Sequence, residues 1–109
     1  MSIVVAVNVV GDQVGGGWGR AAQVALATVD GGAIVDWTEH DVRWDLAHGQ
    51  GGEGAHHARI VRFLRENGVQ VVVTGHMGPP MANTLEKLGV RTVLGLTGDA
   101  RAAAVTAAA

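Results

Sequence analysis

Apolar residues follow two rhythms along this chain. SIVVAVNVV (2–10) is a β-branched apolar run and reads as a buried strand. QVALATVD (23–30) reads as a second strand, Asp30-Gly31-Gly32 as a hairpin signal, and AIVDWTEHDV (33–42) as the returning strand. In that strand Ile34, Asp36, Thr38 and His40 alternate with Val35, Trp37, Glu39 and Asp41, which predicts a half-exposed element. The rhythm then lengthens. AHHARIVRFLREN (55–67) sets His57, Ile60, Val61 and Leu64 on one helical face and Arg59, Arg62 and Glu66 on the other, with Gly68 as the stop. VQVVVTG (69–75) reads as a fully buried parallel strand. HMGPPMANTLEKLG (76–89) opens with prolines suited to a first helical turn and carries a stripe of Met81, Leu85 and Leu88. VRTVLG (90–95) is a short strand. TGDARAAAVTAAA (97–109) is an alanine-rich helix with Thr97 or Asp99 as its cap. Having few large apolar residues, it is expected to pack weakly and fray.

A hairpin followed by β-α-β units predicts an α/β domain over residues 1–109, with a mixed five-stranded sheet and helices on its faces. Ligands of open α/β sheets sit outside the carboxyl ends of the parallel strands. Three loops can reach that edge, 11–20, 43–54 and 75–78, and they hold the glycine clusters at 15–17, 49–54 and 75–78.

Composition narrows the chemistry. A formal charge of -2, with seven arginines and one lysine spread out, leaves no footprint for nucleic acid and no basic membrane patch. No apolar run approaches spanning length, so a cytoplasmic protein is expected. The absence of cysteine removes thiolate catalysis and thiolate ligation; a metal here must use imidazole, carboxylate, thioether or backbone groups. Ser2 is the lone serine, so no serine triad is expected, and neither glycine loop has dinucleotide or P-loop spacing. Binding without turnover is the simpler expectation.

HGQGGEGAHH (48–57) brings three of the five histidines around glycines ahead of a helix, where free N–H groups and the helix dipole favour an anion. His56 and His57 point about 100° apart and are not expected to grip one metal together. His57, on the apolar face, reads as a core histidine, and His56 as facing solvent or the loop. His76 follows a buried strand at the ligand edge, and His40 reads as a surface residue. Arg20 offers a fork for bidentate anion binding. Trp18 and Trp44, in or beside loops, are expected to line a pocket or a partner interface, and Trp37 to pack on the sheet.

The glycine-rich first loop ending in Gly19-Arg20, HGQGGEG before a helix, and GVQVVVTGHMGPPMANTLEKLGV together resemble the dinitrogenase iron-molybdenum cofactor family, the group of NifX-type carriers and the NifB C-terminal domain. That resemblance implies a ribonuclease-H-like fold. It also implies a carrier of an anionic metal–sulfur cluster of iron and/or molybdenum, or of a related metal or small anion, with a protein partner to receive the cargo. Carried onto this chain, the ligands would be His48, His76 and His56, and the cofactor-binding positions Gly17, Trp18, Arg20, Gly49, Gly51, Gly52, Gly75 and Gly78. The family often shows Ser-x-His-Phe-Gly-Arg in its first loop. Here Gly16-Gly17-Trp18-Gly19-Arg20 stands there, with Trp18 at the histidine or its neighbouring phenylalanine. The alternative reading is a regulatory or interaction module that has lost cluster binding. A nuclease is not expected: strand one carries Asn8 rather than an acid, and the converging carboxylates of a two-metal site are missing.

Overall fold

The computed structural model describes residues 2–47 and 52–109. Six strands form one sheet: β1 (Ser2–Val10), β2 (Gln13–Val14), β3 (Gln23–Asp30), β4 (Ala33–His40), β5 (Val71–Thr74) and β6 (Arg91–Leu94). Their order is β4-β3-β1-β5-β6, with the short β2 pairing beside β1. The sixth strand corrects the expected five. It arises because the first loop folds back and pairs Val9 with Val14 and Val10 with Gln13. β1 is antiparallel to β3 and parallel to β5, and β5 is parallel to β6. The helices are α1 (Trp44–Ala47), α2 (Gly52–Glu66), α3 (Pro79–Lys87) and α4 (Ala100–Ala108).

The β3–β4 hairpin closes on Gly31 and Gly32, both with positive φ (60° and 80°). This is the turn whose twist matches the strands it joins. The alternation expected in β4 breaks near its start. Val29 pairs with Ile34 but Thr28 pairs with Asp36, leaving Val35 as an extra residue. This bulge turns Ile34 onto the same face as Trp37, where both pack, and leaves Val35 exposed.

One face of the sheet presents Val5, Val7, Val9, Ala25, Ala27, Val29, Val71 and Val73 to the alanines of α4, Ala100, Ala103, Ala104 and Ala107. The expectation that α4 packs weakly is overturned. Methyl side chains let the helix lie close on the valines, and both ends are pinned. Asp99 accepts from the Ala102 N–H at 2.8 Å, and Arg91 donates to the Ala107 carbonyl at 2.6 Å. Arg101 lies 4.4 Å over the Trp37 ring.

The other face packs Ala6, Val24 and Val72 under α2 and α3. The buried line of α2 is His56, Ile60 and Leu64, with Phe63 beside it; His57 and Val61 are only half-buried. This line is rotated from the expected one because Phe63 stacks edge-on against both Trp44 and His40, at 5.5 Å each. His40 is thus a packing residue rather than a free surface one. In α3, Met81 and Leu85 are buried as expected, but Leu88 caps the helix and is exposed.

A laced loop edge as candidate functional site

β1 and β5 run side by side toward their carboxyl ends, where Asn8, two residues before the end of β1, and Thr74, the last residue of β5, are buried polar residues. The Asn8 amide donates to Thr74 Oγ1 at 3.1 Å and to the Gly17 carbonyl at 3.1 Å. The Thr74 hydroxyl donates to the Gly16 carbonyl at 3.1 Å. These two side chains reach from the sheet into the first glycine loop and satisfy its inward carbonyls.

The backbone completes the join. Gly75 N–H donates to Gly15 O at 3.0 Å, His76 N–H to Gly16 O at 2.7 Å, and Trp18 N–H to His76 O at 2.9 Å. Loops 11–20 and 75–78 therefore form one lip. Their glycines are partly explained by this contact. A Cβ on Gly15 would fall 2.5 Å from the Asn8 carboxamide oxygen, and one on Gly75 would fall 3.2 Å from the Gly15 and Gly16 carbonyls. Gly16 and Gly17 face open space instead, with nothing within 4 Å of an added Cβ.

Below the lip is a cleft of about 170 Å³ lined by Trp18, Gly19, His57, Met77, Gly78, Pro80 and Met81. Trp18 forms its inner wall. It is 1 % exposed, and its ring meets Trp44, 2 % exposed, at 5.1 Å in a T-shaped pair. Arg43, in the left-handed region at φ 50°, turns the chain so that the Trp44 N–H donates to the Ala21 carbonyl at 2.9 Å, anchoring the start of α1. Both tryptophans are core residues, which corrects their assignment to a partner interface. Trp18 retains a link to the site, since it lines the cleft. Its buried indole N–H has no hydrogen-bond partner among the described residues.

The two adjacent histidines exchange their expected roles. His56 is buried; its Nε2–H donates to the Gly19 carbonyl at 2.6 Å, and its Nδ1 accepts from Arg59 at 3.1 Å. These bonds engage both ring nitrogens and tie α2 to the first loop. His57 is half-buried and lines the cleft. Its side chain has no hydrogen bond among the described residues.

The other sequence candidates divide as follows. His76 and Arg20 are exposed on the lip beside Met77 and Gly19, and Arg20 has no side-chain partner among the described residues. Gly78 caps α3, where Pro79 and Pro80 take the first two helical positions and remove two N–H donors. Gly52 opens α2. His48, Gly49 and Gly51 lie outside the described residues. Sequence reasoning missed His57, Met77 and Met81 as lining groups. The spacing of Met77 and Met81 was the available signal, but it also reads as ordinary core. Among the described residues no three of His, Asp and Glu gather to hold a metal, and no carboxylate lines the cleft. Its described lining carries thioether, indole and imidazole groups and no acidic side chain, a donor set unlike the oxygen ligands of a hard cation site.

A mixed sheet with helices on both faces and a glycine-laced lip at its parallel edge defines a small α/β protein. The chain belongs to the dinitrogenase iron-molybdenum cofactor family, whose model matches residues 1–109. Solved structures share the fold. PH0822 superposes with a TM-score of 0.72 at 19 % identity, over 98 % of this chain and 88 % of that one. The apo form of the orange protein from Desulfovibrio gigas gives 0.68 at 22 %, over 94 % and 83 %. The provisionally named dinitrogenase mj0327 from Methanocaldococcus jannaschii gives 0.64 at 11 %, over 91 % and 80 %. No curated protein sequence matches.

Proposed function

We propose that this protein is a cytoplasmic, non-enzymatic carrier that holds an anionic metal–sulfur cluster, or a related metal or oxyanion, against the laced lip and passes it to a protein partner. The observation that carries the reading is the presence of exposed Arg20 and His76 on the lip above a cleft that no carboxylate lines among the described residues. Arg20 would balance the anion's charge. His76, with His48 from the preceding segment, would ligate or hydrogen-bond it, and the open glycines 16 and 17 would let it approach the backbone. His56 would act through Gly19 rather than on the cargo. Membership of the family supports the reading. An open lip with few ligands suits a carrier, which must release what it binds.

The test is anaerobic purification of untagged protein, reconstitution with iron, molybdate and sulfide, and elemental analysis with an absorption spectrum. Stoichiometric metal and sulfide, reduced in R20A, H76A and H48A, is the expected result. A colourless protein that takes up no cluster on reconstitution would overturn it.

A further inference from the structure

We infer that the cleft is also a binding site for a single soft monovalent cation, Cu(I), held by the Met77 and Met81 thioethers and a His57 ring nitrogen, beside the Trp18 indole. This goes beyond the cluster reading and does not depend on it.

The donors come from three separately anchored stretches. Met77 follows His76, whose N–H and carbonyl are both bonded to the first loop, at 2.7 and 2.9 Å. Met81 sits in the first turn of α3, where the Ala82 N–H closes on the Gly78 carbonyl at 3.0 Å. His57 follows His56, whose ring is bonded to Gly19 at 2.6 Å. All three line the same small cleft. Anchoring of this kind limits the reorganisation needed to bind.

The donor chemistry selects the ion. Thioether sulfur is a soft, neutral ligand that favours Cu(I), and imidazole suits copper as well. Magnesium and calcium require oxygen ligands, and among the described residues no carboxylate lines the cleft. Zinc sites are built from thiolate, imidazole and carboxylate, and this cleft supplies one imidazole. Neutral donors leave the ion's whole charge in a partly buried place, so a monovalent ion costs less there than a divalent one. Among aromatic side chains the indole face is the best partner for a cation. The competing explanation is that Met77 and Met81, each 5 % exposed, only fill the core. Leucine separates the two roles, because Met and Leu have similar volumes and exchange in cores at small cost.

The experiment is an anaerobic titration of the full chain with Cu(I) in competition with bicinchoninate, with Ag(I) as a redox-inert mimic and tryptophan fluorescence as the local signal. The wild type should take one equivalent and change its fluorescence. The M77L/M81L double variant and H57A should each weaken binding by about 10–100-fold or more, while far-UV circular dichroism stays unchanged. A wild type that cannot compete for Cu(I) overturns the proposal. So does undiminished affinity in folded M77L/M81L; should that variant not fold, undiminished affinity in H57A and in the single leucine variants has the same meaning. The carrier reading fails separately. Cu(I) uptake by a protein that refuses clusters sinks the carrier and leaves this site, and cluster uptake without Cu(I) binding does the reverse.

Discussion

The two faces of the sheet are closed in opposite ways. On one, α4 offers alanine methyls to a field of valines, with a capped start and an arginine-tied end. On the other, α2 and α3 enclose two tryptophans, two methionines and a buried histidine. The alanine face has close packing and little chemistry. The second face needs bulkier groups to fill the space under its helices, and those groups bring polar edges, sulfur and imidazole to the loop edge. The bulkier face carries the cleft on which the proposals rest, and the alanine face meets the sheet with methyl groups.

Substitutions can break that contrast. The largest effect is expected from W44A. It removes the ring that supports Trp18 and Phe63 and should cost about 3–5 kcal/mol in urea unfolding. It should also weaken whatever the cleft binds, because the Trp18 wall loses its support. Next comes A104L on the opposite face, at a residue with no exposure. Overpacking there should cost about 1–3 kcal/mol, and the protein that remains folded should bind its ligands unchanged in the same titrations. Equal loss of binding in both variants would show that the faces are not separable. The smallest effect is expected from G17H. Gly17 has extended backbone (φ -91°, ψ 122°) and open space at its Cβ, so stability should stay within about 0.5 kcal/mol. Trp18 is buried as an apolar residue; if it takes the phenylalanine's place in the first-loop pattern, Gly17 stands at the histidine's. An imidazole there should raise cluster retention on reconstitution. Unchanged retention would remove Gly17 from the site.

The contrast also explains what could be read in advance. β1 and β3 were legible to the residue because long β-branched runs and a glycine hairpin admit few alternatives. The convergence of loops 11–20 and 75–78 followed from the order of the elements. The rest depended on partners distant in sequence. The extra residue Val35 cannot be seen without the register against Thr28 and Val29. The turn of α2 that buries His56 and half-exposes His57 is set by Phe63 meeting Trp44 and His40. Trp18 and Trp44 looked like surface groups because they sit in glycine- and charge-rich segments. The left-handed Arg43 and the short α1 that bring Trp44 inside carry no pattern of their own. The Gly15 and Gly75 signals coincide with close contacts inside the lip, Gly15 against the Asn8 side chain and Gly75 against the backbone of Gly15 and Gly16.

The lip is stitched chiefly by main-chain bonds and by Asn8 and Thr74 from below, so the side chains of Arg20 and His76, and any placed at the open positions 16 and 17, contribute little to holding it together. A lineage can exchange those residues at small cost to folding. The residues that hold the lip and the residues it displays are then under separate selection, and a family built this way can vary its outer surface while its frame is inherited intact.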